Sequence, residues 1–171
     1  FDPANKLLRL AYCGKEYEIS CSDGQVKLAG SREEVPYNDK TLIMQYLAQS
    51  SGLPPRGHWL SFLELPEGIH HYAPFQTDAL IPLAEKFGLD EAGFLQAGAS
   101  LKGEQIKMGD VAVVIPALPR VPLAVMLWLG DEEFPATGNV LFDSVAPTHL
   151  STASLWVLGV EVSRKLIKAV V

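Results

Sequence analysis

The sequence predicts an α+β domain, a mostly antiparallel twisted sheet of about six strands with three to four helices packed on it. Three observations lead there. Short apolar-alternating runs open the chain, helical spacing of apolar residues recurs in its middle and near its end, and unbroken β-branched runs lie between. The 171 residues contain no Ser/Gly-rich or charge-rich linker, so a single domain over 1–171 with one hydrophobic core is expected.

Leu7 to Tyr12, Tyr17 to Cys21 and Gln25 to Leu28 read as a three-stranded meander, broken first at Cys13-Gly14-Lys15 and then at Ser22-Asp23-Gly24. The Asp-Gly pair is the stronger hairpin signal, since a type I′ turn needs positive φ at both central positions. Asn38 is placed to cap a helix over Asp39 to Ser50, with Leu42, Ile43, Tyr46 and Leu47 on one face and Gly52 beyond its end. After the stiff Pro54-Pro55-Arg56-Gly57, Trp59 to Leu65 alternates as a strand and closes at Pro66-Glu67-Gly68. Phe75, Ala79, Leu80, Leu83 and Phe87 predict a helix made irregular by Pro82 and ended by Gly88. Asp90 caps a shorter helix carrying Phe94 and Leu95, and Gly103 stops it. Val111 to Ile115 and Val121 to Leu129 have the composition of central strands, Asn139 to Phe142 adds a short one, and Ser151 caps a final helix bearing Leu155, Leu158, Val162 and Leu166. No repeat or low-complexity tract interrupts this order.

The charge balance narrows the function. With 14 Lys and Arg against 20 Asp and Glu, the net charge of −6 and the lack of a basic stripe speak against nucleic acid and anionic membranes as partners. The most apolar stretch, Val111 to Leu129, is broken by Pro116, Pro119, Arg120 and Pro122, a poor membrane span. No leader pattern opens the chain, and it begins at Phe1, as a processed chain or a domain cut from a longer one would; a cytoplasmic location is expected. Cys13 and Cys21 are too few for a disulfide framework or a four-thiolate site, and nothing in the sequence requires a cofactor for folding.

No phosphate-binding glycine loop, zinc spacing, nucleophile elbow or kinase signature is present, so chemistry must be sought in looser clusters. The densest is Asp131, Glu132 and Glu133 with Asp143 and His149 downstream, a set able to ligate a divalent metal or to divide acid and base roles. The plainer reading leaves the carboxylates solvated in a turn and uses Asp143 or His149 to satisfy free backbone amides. Arg120, alone in the apolar run Leu118 to Pro122, suits a clamp on a ligand carboxylate or phosphate, or an ion pair with Asp131 or Glu133. His58 and His70-His71 are weaker candidates for metal or tetrapyrrole ligation, because adjacent residues on an extended segment point opposite ways. Cys13 and Cys21, on neighbouring strands, are either a facing pair or buried apolar fillers, and Trp59, Phe62, Tyr72, Phe75 and Trp128 line either a planar-ligand pocket or the core.

Four ordered segments, Trp59 to Pro66, Leu118 to Pro122, Gly130 to Ala136 and Leu141 to Asp143 through His149-Leu150, resemble the signature of domain-of-unknown-function family 3786. The resemblance spans nearly the whole chain. It implies a setting in anaerobic bacteria and archaea and an iron-sulfur or corrinoid protein as partner, since some members are fused to a four-cysteine cluster domain that this chain lacks. It also marks Arg120, Asp131, Glu132, Glu133, Asp143 and His149 as the residues to watch. Three expectations follow. The first is a ligand-binding or accessory domain of anaerobic redox or corrinoid metabolism, with a small anionic or planar ligand near Arg120 and the acidic turn. The second is a metal-assisted or acid-base enzyme at Asp131–Glu133 with Asp143 and His149, and the third an interaction domain with an exposed apolar patch and no ligand. The first two require the Arg120 guanidinium and those carboxylates to converge on one cavity.

Overall fold

The meander forms as its alternation predicts. In the computed structural model, which describes residues 1–170, β1 (Leu7–Tyr12), β2 (Lys15–Ser20) and β3 (Val26–Leu28) pair antiparallel in chain order. The tight turn is Cys13-Gly14, where both residues have positive φ (47° and 79°), and not Asp23-Gly24. The second connection is wider: Ser20 N–H donates to the Gln25 carbonyl, and only Gly24 turns left-handed. Gly14 has a second reason to be glycine, because a Cβ there would lie 2.7 Å from the Leu101 backbone.

Helix α1 (Tyr37–Gln49) buries Leu42, Ile43 and Tyr46, while Leu47 is 38% exposed at its margin. Asn38 does not cap it. The N-cap is Pro36, no side chain caps the helix, and the Asn38 amide instead donates to Glu161. The strand predicted from Trp59 to Leu65 is cut to β4 (Trp59–Ser61), because Ser61 and Glu64 form a capping box that winds Phe62–Glu64 into a 3-10 turn. Pro82 produces the expected irregularity: α2 (Tyr72–Phe75) passes through a π-helical stretch, Gln76–Leu80, into α3 (Ile81–Phe87). Asp90 caps α4 (Glu91–Ser100) by accepting from Gly93 N–H, and Ser151 caps α5 (Thr152–Ala169) through Ser154 N–H.

The second sheet is antiparallel, with order β4-β8-β7-β6-β5, where β5 is Glu104–Ile106, β6 Val111–Leu118, β7 Val121–Trp128 and β8 Thr137–Asp143. The β-branched runs lie at its centre, as expected. The α+β class stands, but the strands divide into two sheets, joined where Cys13 N–H donates to the Ala117 carbonyl. Strand β5 carries no legible pattern and escapes sequence reading. The helices cover one face of the larger sheet, α4 crossing so closely at Gly98 that a Cβ would strike Val113. Between these layers Phe62, Phe75, Phe142, Val125, Val140, Leu155 and Leu158 form a sealed core. Among the described residues no helix is long and apolar enough to cross a membrane.

Candidate functional site

Three of the watched residues converge on one loop. Arg120 forms the two-residue turn between β6 and β7 in a left-handed conformation (φ 62°) and donates from Nη1 to the Gly52 carbonyl. His149 is fully buried: its Nε2 lies 3.0 Å from the Leu53 carbonyl and its Nδ1 2.7 Å from Ser50 Oγ. A carbonyl can only accept, so Nε2 carries the proton and Nδ1 accepts from the serine hydroxyl. Burial, then the nearby Arg120 charge, hold the imidazole pKa below its ordinary value, against the bond to Leu53 and the Asp143 charge. Asp143, also fully buried, accepts from the backbone N–H groups of Arg56, Gly57 and Val145 at 2.7–3.1 Å. These side chains therefore tie down the loop 50–58, and both His149 nitrogens and both Asp143 oxygens are engaged in doing so.

The acidic turn is elsewhere. Asp131–Glu133 follow the far end of β7, eight residues at about 3.3 Å each, or roughly 25 Å, from Arg120. The expected convergence on a common cavity does not occur, because the strand that separates the two motifs in sequence also separates them in space. Asp131 accepts from Phe134 and Glu133 N–H, bonds that hold its exposed carboxyl below the usual pKa, and Glu132 and Glu133 face water. Among the described residues no three His, Cys, Asp or Glu side chains are grouped to hold a metal ion. His58, His70 and His71 are exposed. Phe62 stacks on Phe75 with centroids 4.3 Å apart inside the core, whereas Trp128 is half-exposed, so the aromatic set does not line one pocket. Cys13 and Cys21 lie beyond opposite ends of β2, the first buried and the second exposed.

A cleft of about 460 Å³ opens between the meander, the start of α1 and the end of α5, at a place the motifs do not mark. Its floor is polar and buried. Asp39, 1% exposed, accepts from Tyr12 Oη (2.9 Å) and from Lys165 Nζ (2.7 Å), while Lys165 also lies 5.1 Å over the Tyr12 ring. The walls are Tyr17, Leu28, Val35 and Leu101, and Lys15, Lys168, Glu33 and Glu34 stand at its rim. Desolvation first, then the Cys13 and Asp39 charges, push the Tyr12 hydroxyl well above its ordinary pKa, so it stays a proton donor. Burial likewise raises the Cys13 thiol to about 12, which removes it as a nucleophile near neutrality.

Sequence reading missed Asp39 and Lys165, although each carries a signal. Asp39 precedes Leu42, Ile43 and Tyr46 by three, four and seven positions, a carboxylate on the apolar stripe of α1; Lys165 follows Leu158 and Val162 by seven and three on the apolar face of α5. A charge on a buried stripe demands a partner, and here each supplies the other. No curated protein and no solved structure matches the chain. The family model described as Domain of unknown function (DUF3786) matches residues 1–165, a span that takes in the four motifs, the strapped loop and all three residues of the cleft's floor, and the chain belongs to that family.

Proposed function

We propose that the chain is a ligand-binding domain whose cleft between the meander, α1 and α5 takes a small molecule with a planar or apolar body and one anionic group. The observation that carries this reading is the cleft itself: about 460 Å³ lies within the usual range for small-molecule pockets, and its apolar walls surround a few fixed polar groups. Lys15 and Lys168 at the rim attract an anionic group, and Glu33 and Glu34, which also line the cleft, disfavour a polyanion. Lys165, oriented by Asp39, keeps N–H donors for a ligand acceptor at the floor, while the single Tyr12 O–H is spent on Asp39 and holds that carboxylate in place.

The expected partnership with an iron-sulfur or corrinoid protein of anaerobic metabolism in the cytoplasm belongs to the same proposal, supported by family resemblance and by a surface of net charge −6 unsuited to nucleic acid. A probe of the right chemistry is 8-anilinonaphthalene-1-sulfonate, a planar body with one sulfonate. In an NMR titration, shifts centred on Tyr17, Leu28, Val35 and Leu101 that weaken in Lys168→Glu are the expected result. Shifts that avoid those residues reject the cleft. Elemental analysis and an absorption spectrum of protein purified without oxygen separate this reading from metal-assisted catalysis, which requires a bound metal.

A further inference from the structure

Several side chains of nucleophilic type line the cleft, and their surroundings set one of them apart. Cys13 keeps its proton, its thiol raised by burial to about 12. The Tyr12 O–H is spent on Asp39, and Ser100 Oγ donates to the Ala97 carbonyl. Lys15 and Lys168 stand exposed at the rim, with no carboxylate bonded to either among the described residues. Lys165 differs. Its side chain is 23% exposed, its Nζ lies 2.7 Å from a carboxylate that is itself sealed from water, and among the described residues Asp39 alone accepts from an ammonium that has three donors.

This arrangement dictates where the groups of a ligand go. A second anion at the floor would face the Asp39 carboxylate, so the anionic group belongs at the rim and the group beside Lys165 is a neutral acceptor. Lys168 follows Lys165 by three positions on α5, a rise of about 4.5 Å, and a single aromatic ring bridges such a gap. A carbonyl is the neutral acceptor whose carbon is also electrophilic. Resting on the cleft as the ligand site, we infer that Lys165 captures an aldehyde bearing an anionic group as a covalent imine. Asp39 takes a proton from the ammonium, and the freed amine attacks the carbonyl carbon to give a carbinolamine. The Asp39 carboxyl then returns the proton to the carbinolamine oxygen, which leaves as water as the C=N bond forms. The product is an iminium, so the positive charge stays beside Asp39 and over the Tyr12 ring, and the buried ion pair survives the reaction. Tyr12, which holds Asp39 in place, is a positioning residue.

The probe is 4-formylbenzoate, a flat ring with an aldehyde opposite one carboxylate. The wild-type chain is incubated with it near neutral pH, trapped with cyanoborohydride and mapped by peptide mass spectrometry. Lys165 is expected to be modified at least about tenfold faster than exposed Lys27 and Lys86. Lys165→Arg, which keeps the charge beside Asp39, loses that adduct. Asp39→Asn, which removes the proton acceptor, slows modification of Lys165 by at least about tenfold, whereas an Asp39 that merely neutralised charge would leave a freer amine and faster labelling when replaced. 4-Methylbenzoate, which has no aldehyde, reports the cleft separately through NMR shifts at Tyr17, Leu28, Val35 and Leu101. Shifts there with Lys165 labelled no faster than the exposed lysines overturn this inference and leave the cleft standing. No shifts and no preferential labelling overturn both. Faster labelling of Lys165 in Asp39→Asn removes the carboxylate from the chemistry and overturns the inference as well.

Discussion

Asp39 shows how much one buried charge can organise. It ties β1 through Tyr12 and α5 through Lys165 to the first turn of α1, where the helix dipole also favours a carboxylate. Replacing it with alanine strands the lysine and the tyrosine hydroxyl together, and a loss of about 3 kcal/mol is expected in urea denaturation, because removing one partner of a buried pair costs far more than the pair contributes. Asp39→Asn, which keeps the acceptor for Tyr12, should lose less. His149 gives a second residue-scale expectation. Its folded pKa lies below its unfolded value, so the unfolded chain takes up the proton first as pH falls. The stability contributed by the neutral imidazole is complete above about pH 6.5 and declines as the pH drops from there through the lowered folded value. Denaturation midpoints compared at neutral and mildly acid pH should therefore fall further in the wild type than in His149→Gln.

Among the elements, what was legible is what is local. The caps at Asp90 and Ser151, the irregularity at Pro82 and the central strands all follow from residues within a turn or two of one another, and the structure places them as read. Asp90→Ala should cost about 1 kcal/mol, the usual penalty for losing an N-cap acceptor, measured by thermal or chemical unfolding. Alternation alone predicts a strand from Trp59 to Leu65, but the Ser61-x-x-Glu64 capping box prevails over the pattern and ends the strand at Ser61. Asn38 failed as a cap because its amide has a better use 123 positions away, at Glu161, which no local window can see. The candidate site divides along the same line. Arg120, Asp143 and His149 were found as polar residues in apolar surroundings, but their common task, holding loop 50–58, depends on tertiary geometry, and the cleft depends on it entirely.

At the scale of the molecule, a backbone bond from Cys13 ties the meander to the larger sheet and the polar knot at Asp39 ties it to α1 and α5, so the burial of Cys13 reports whether the meander is docked. Iodoacetamide near neutral pH should label exposed Cys21 promptly and spare Cys13, whose thiol burial has pushed to about 12; mass spectrometry across a urea series should then show Cys13 labelling follow unfolding. Labelling of Cys13 well below the main transition would reveal that the meander undocks on its own.

The Asp39–Lys165 pair joins residues 126 positions apart, whereas the meander is stitched by its neighbours. Hairpins zip within microseconds, but a contact so distant along the chain must wait for a large loop to close. In refolding the small sheet should therefore pair first, with its apolar underside still wet, and the cleft beside it should be among the last features of the molecule to come into being.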